Sequence, residues 1–161
     1  SSIFSITFSL IVIGIIASVF FKRILWGVLA VIPLTSAVII NFGFMGYFGI
    51  ELSHITAILS SIIIGVGVDF AIHYIAQFRR LSRTIDKDKV SKEVIDDVGY
   101  AIILDAGSNM GFRALVFSSF IPIQYIGGLM VFAMVSTSLG TLTVLSALAE
   151  LLKNKLIERN K

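Results

Sequence analysis

The sequence predicts an all-α integral membrane protein: five transmembrane helices plus one amphipathic helix on the cytoplasmic surface. Three observations carry that prediction. Hydrophobic residues fill 57% of 161 positions and charged residues 14%, whereas soluble domains hold roughly 45–50% and about 25%. Mean hydropathy is +0.97. The apolar residues gather into five stretches, each long enough for the ~20 residues that a membrane-spanning helix needs. This composition excludes a disordered tail, a nucleic-acid-binding domain and a small secreted scaffold. With no cysteine in the chain, disulfides, thiolate metal sites and cysteine catalysis are excluded too.

The elements follow in order within one transmembrane domain, 1–161. Span one, Ile3–Phe21, is free of charge and ends at Lys22-Arg23. Span two, 24–49, is also uncharged. Span three, 55–78, contains Asp69 and His73, and span four, 98–121, contains Asp105 and Arg113. Span five, 123–149, is uncharged, and 150–161 forms a short basic tail. Between spans three and four lies the polar segment 79–97, in which Ile85, Val90, Val94 and Ile95 recur at roughly helical spacing. That periodicity predicts a short amphipathic helix on the membrane surface; a solvated loop is the plainer alternative.

Lysine and arginine set the orientation. Threading five spans puts Lys22-Arg23, 79–97 and 150–161 on one side, with two, six and four of the thirteen basic residues. The opposite turns, 49–54 and 120–124, hold none. The C-terminus is therefore expected in the cytoplasm and the N-terminus on the outer face of the cytoplasmic (inner) membrane. The chain opens on Ser1-Ser2 without a basic n-region, so its first apolar run does not read as a standard signal peptide, and a preceding segment is expected. Small residues are dense in span four (Gly99, Ala101, Ala106, Gly107, Ser108, Gly111) and in span five (Gly127, Gly128, Ala133, Ser136, Ser138, Gly140). They let helix backbones approach closely in lipid.

Asp69 is the most informative residue. It precedes Arg79 by ten positions, about 15 Å along a helix, near the middle of a ~30 Å hydrocarbon core. A carboxyl at that depth is costly and functional by default, and without a partner its neutral form is favoured. Such a group suits a proton relay; a structural ion pair between helices is the bland alternative. Gly65, Asp69 and His73 are spaced i, i+4 and i+8 and share one helix face. His73 could pass protons or simply hydrogen-bond a neighbour. Asp105, Asn109 and Arg113 have the same spacing on span four, at matching depths if the spans are antiparallel. Asp69 is therefore expected to face Asn109 and Arg113, and His73 to face Asp105. Gly65, Gly67 and Gly111 are expected to pack closely against neighbouring helices.

The stretch Ile64-Gly65-Val66-Gly67-Val68-Asp69-Phe70-Ala71-Ile72-His73 resembles the fourth-helix motif of RND-superfamily exporters, in the MMPL and predicted hydrophobe exporter branch. Residues 41–50 resemble that family's third-helix end. Ala101–Asp105, Gly111-Phe112, Leu115 and Phe117–Phe120 resemble its fifth helix, and Gly127–Leu145 its sixth, so nearly the whole chain is covered in order. The resemblance implies a five-helix half-module, most similar to the C-terminal half, related in helix pattern to sterol-sensing bundles. It further implies proton-motive-force-driven export of lipids or other hydrophobic molecules, with Asp69 as proton relay. The partners would be membrane lipids, the proton, and another half bearing an extracytoplasmic domain. Three departures stand out: Phe70 replaces the usual Tyr, Arg113 the usual apolar residue, and Ala147–Glu150 stands where a Pro is usual.

Other functions fare less well. A membrane module that binds or senses lipid without pumping is the main alternative. An intramembrane enzyme is not expected: there is no HExxH and no triad-like arrangement. Glu51 and His54 at an outer turn are two residues only, too few for a metal site, and no metal or other cofactor is implied. No P-loop sequence is present, so nucleotide-driven transport is not expected.

Overall fold

The structure, a computed structural model, describes residues 2–51 and 54–158. Among them are only helices and turns. They run α1 (Ser2–Phe20), α2 (Ile24–Tyr47), α3 (His54–Leu81), α4 (Lys87–Asn109), a 3-10 segment (Met110–Phe117), α5 (Ile121–Gly140), a π-helical turn (Thr141–Leu145), α6 (Ser146–Leu151) and α7 (Lys153–Glu158). Four stretches of the described residues are long and apolar enough to cross a membrane: Ile3–Phe20, Ile24–Tyr47, Ala57–Leu81 and Ile121–Leu151. The protein is an integral membrane helical bundle.

Two sharp reversals follow from local chemistry. The chain turns from α1 into α2 through Lys22 at φ 55°, with Arg23 N donating to Ser18 O at 3.0 Å. At the far end of α2, Gly49 takes φ 65° and Ile50 N donates to Met45 O at 2.9 Å. This is the left-handed stop that glycine provides at least cost. Hydroxyls within the apolar helices bond their own backbone four residues back: Thr7 to Ile3, Ser18 to Gly14, Thr35 to Val31, Ser36 to Ile32 and Thr137 to Ala133. With no water in lipid, that is how such groups remain satisfied.

The bundle is centred on α2, α3 and α5, which all touch one another; α1 lies against α2, and α4 against α3. The larger core sits at the basic end. Trp26 of α2, Phe70, Tyr74 and Phe78 of α3, Val90 and Val94 of α4, and Leu145 are all essentially inaccessible. Trp26 and Phe78 meet edge-on with centroids 5.8 Å apart. Met45, Leu59, Leu129, Met130 and Met134 form a second cluster. By contrast α1 shows Ile3, Phe4, Phe8, Ile11, Ile15 and Val19 to its surroundings, as a lipid-facing helix does.

The largest difference from the sequence expectation concerns spans four and five. The polar segment is not a separate surface helix: Lys87–Asp97 forms the first turns of α4, which runs on to Asn109. Val90, Val94, Val98 and Ile102, four apart, are all buried. One apolar stripe thus crosses the border between polar and apolar composition and docks α4 on the bundle. Beyond Asn109 the expected span 98–121 changes to the 3-10 segment. Gly107, Ser108 and Gly111 are weak helix formers there, and Ser108 Oγ competes for Leu104 O at 2.9 Å. Span five begins at Ile121 with Pro122 in its first turn, where a missing N–H costs nothing.

The described part of the tail, 150–158, is latched at Glu150 and Lys153. Lys153 Nζ donates to Asp88 Oδ1 and Glu150 Oε1, both at 2.9 Å. Ser91 Oγ donates to the other Glu150 oxygen at 2.5 Å. The Lys153 ammonium holds the Asp88 carboxyl below its usual range, while hydrogen bonds to Glu150 and Asp88 raise Lys153. A depressed acid contributes above its unfolded pKa and is lost as pH falls through the folded one; a raised base contributes below its unfolded pKa and is lost as pH rises. Hydrogen exchange of α7 amides, corrected for intrinsic rates, should therefore be flat from about pH 5 to 9 and quicken below about pH 4. Acceleration at neutral pH would contradict the latch.

Docking of α4 gives a second expectation. Val94→Ala should cost about 2 kcal/mol, whereas Ile95→Ala, at a site 38% exposed, should fall within about 0.5 kcal/mol of wild type. Denaturant titration in micelles compares them; equal effects would mean that the segment lies loosely on the membrane.

Candidate functional site

Helix α3 divides into two faces. Phe70, Ala71, Tyr74, Ile75 and Phe78 turn into the core, none more than 2% exposed. At ~100° per residue this turns Gly65, Asp69, His73 and Gln77 the other way. Asp69 and His73 side chains are 65% and 67% exposed, and His73 Nε2 lies 3.4 Å from Asp69 Oδ1. Asp69 is the thirteenth of the 25 residues of the span Ala57–Leu81, so the carboxyl stands at mid-depth.

The stripe opens into a cleft of about 720 Å³ between α3 and α4, lined by Asp69, His73, Gln77 and Arg80 from α3 and by Asp97 and Asp105 from α4. Phe70, Ala76, Val98, Ala101 and Ile102 complete its walls. Gln77 Nε2 donates to Asp97 Oδ2 at 2.7 Å, tying the helices together toward their basic end. The cleft thus presents polar groups in steps of one helical turn, from mid-span to the basic surface. Three carboxyls, an imidazole and a guanidinium in one open space can hold water and exchange protons.

His73 and Asp105 line the same cleft. The side chains of Asn109 and Arg113 lie outside the described residues, and the expected pairing of Asp69 with them lies there too. Gln77 and Asp97 were missed, although Gln77 continues the i, i+4 stripe through Asp69 and His73. On α4, Asp97 and Asp105 are two turns apart, although composition places Asp97 in the polar segment 79–97.

The glycines differ from one another. At Gly67 an added Cβ would overlap Leu34 Cδ2 of α2 and lie 2.8 Å from Thr137 Cγ2 of α5, so three helices cross there. At Gly65 and Gly111 a Cβ would meet nothing within 4 Å among the described residues. The close packing expected at those two is not made within the described bundle; Gly65 lies on the outward stripe with Asp69. The tight α1–α2 crossing is at Gly27, where a Cβ would overlap Ser18 Oγ.

Comparison with known proteins follows the same outline. The family model of the sterol-sensing domain of SREBP cleavage-activation matches residues 19–155, from the end of α1 into α7. The chain belongs to the sterol-sensing domain family. Within this sterol-sensing bundle the match takes in both walls of the α3–α4 cleft and the docked first turns of α4. A protein named as a membrane protein in Methanocaldococcus jannaschii is 34% identical over 119 residues, covering 72% of this chain and 30% of the relative. The sterol-sensing chain thus spans less than a third of that relative's length. No solved structure gives a significant match.

Proposed function

We propose that this chain is the five-span half-module of a proton-motive-force-driven exporter of the RND superfamily, in its MMPL-like branch, moving lipids or other hydrophobic molecules. The observation that carries the proposal is Asp69: a carboxyl at mid-span, beside His73, in a polar cleft that leads toward the basic end. In this reading Asp69 takes up and releases the coupling proton, His73 passes it along the stripe, and Asp105 with Asn109 and Arg113 supplies polar partners.

The exposure of the stripe supports a second half. A charged side chain facing hydrocarbon is costly, and such groups face protein or water. Asp69, His73 and the open space beside Gly65 therefore form the face that another membrane half covers, leaving a wet seam. By this account the basic end is cytoplasmic, the protein resides in the cytoplasmic membrane, and no covalent chemistry or cofactor is involved. The second reading is a lipid-binding or sensory module that does not pump, favoured by the sterol-sensing family match.

The test uses vesicles carrying the natural protein that contains this bundle, a fluorescent phospholipid and an imposed pH gradient. Lipid movement should need the gradient and stop with a protonophore. Movement or binding indifferent to the gradient would favour the sensory reading.

A further inference from the structure

A second concavity lies away from the polar cleft. It is a groove of about 760 Å³ between α1 and α2, walled on α1 from Thr7 to Val19 and on α2 from Ile24 to Ser36. Its rim residues Ile11, Ile15, Val28 and Ile24 are 48–78% exposed. Its hydroxyls, on Thr7, Ser18, Thr35 and Ser36, all donate to their own helices. The groove therefore offers no hydroxyl proton to a polar guest. From Thr7 to Val19 it runs about 18 Å at the helical rise, against about 15 Å for the hydrocarbon of one leaflet.

One end of this apolar trough is strongly basic. The α1–α2 turn carries Lys22, with φ 55°, and Arg23. Arg79 of α3 reaches the same end, its Cζ 5.3 Å from the Phe21 ring centroid. Its buried Nε has no hydrogen-bond partner among the described residues. Arg23 Nη2 donates to Lys155 O at 3.3 Å, which brings the start of α7 to the same end.

We propose that the α1–α2 groove holds an acyl chain of an anionic phospholipid from the leaflet at the basic end, with its phosphate at Lys22 and Arg23. The trough matches one leaflet in depth, its lining matches a hydrocarbon chain, and its basic mouth matches a phosphodiester at headgroup level. The site is separate from the α3–α4 cleft and does not depend on whether the protein pumps.

Native mass spectrometry of the purified chain in detergent, with equimolar phosphatidylglycerol and phosphatidylcholine of identical acyl chains, tests this. One phosphatidylglycerol should be retained per chain in preference to phosphatidylcholine. Lys22→Asn should cut that preference about fivefold, the weight of one basic residue at a membrane surface. Asparagine accepts positive φ, so the turn should persist. Val28→Trp, which fills the groove, should reduce retention of both lipids. Lys89→Gln, on α4 at the same end, should change neither. A wild type without preference, a Lys22→Asn protein that keeps it, or a Lys89→Gln protein that loses it equally would overturn the proposal. So would Val28→Trp with undiminished retention, the result expected if the lipids sit elsewhere on the chain.

Discussion

Asp69→Asn is expected to abolish gradient-driven lipid movement by the assembled transporter, lowering the rate by at least about 100-fold, the lower end of what a positioned proton-transfer group contributes. The protein should remain folded. The Asp69 side chain is 65% exposed and His73 Nε2 is 3.4 Å from its Oδ1 on the same helix, so an isosteric amide breaks no buried contact among the described residues. Asp69→Glu keeps an exchangeable proton and should retain a measurable fraction of the rate. His73→Gln keeps a hydrogen-bonding group but loses the titrating ring, and should slow transport less than Asp69→Asn. The vesicle assay reads all three. Full activity in Asp69→Asn would remove this carboxyl from the coupling path.

Gly67→Val is the substitution expected to damage the bundle most. Its new side chain would overlap Leu34 and press on Thr137, residues only 1% and 3% exposed, with no room to retreat. Overpacking of this kind costs about 1–3 kcal/mol, and two obstructed sides place this case at the upper end. Gly65→Ala, two residues away, should instead stabilise the isolated chain by up to about 1 kcal/mol, because alanine is the better helix former and meets nothing within 4 Å. If the stripe is covered by another half, that same alanine should weaken the assembly. Thermal unfolding in detergent, followed by helical circular dichroism, separates the two glycines. Equal effects would mean that the two positions are packed alike.

Composition and periodicity revealed part of this arrangement. The long apolar runs and their basic punctuation at Lys22-Arg23 and Arg79-Arg80 mark α1, α2 and α3 because lipid permits few other sequences. The i, i+4 stripe of α3 is legible for the same geometric reason, and it extends one step further, to Gln77. The course of α4 was hidden because hydropathy measures composition while docking depends on register. Val90 and Val94 lie among lysines and acids, yet they continue the face of Val98 and Ile102. The sequence did not distinguish Gly67 from Gly65 either, since the difference lies in Leu34 and Thr137 on other helices.

The protonation of Asp69 in a bilayer is the most direct test of the account. The protein is reconstituted in lipid, and its protonated carboxyl stretch is followed by infrared difference spectroscopy from pH 4 to 9, with Asp69→Asn as control. The account predicts a pH-dependent carboxyl band that is missing from the variant. A carboxyl ionised at every pH would contradict it: Asp69 would then be a fixed structural charge, and the bundle a lipid-binding module without proton coupling.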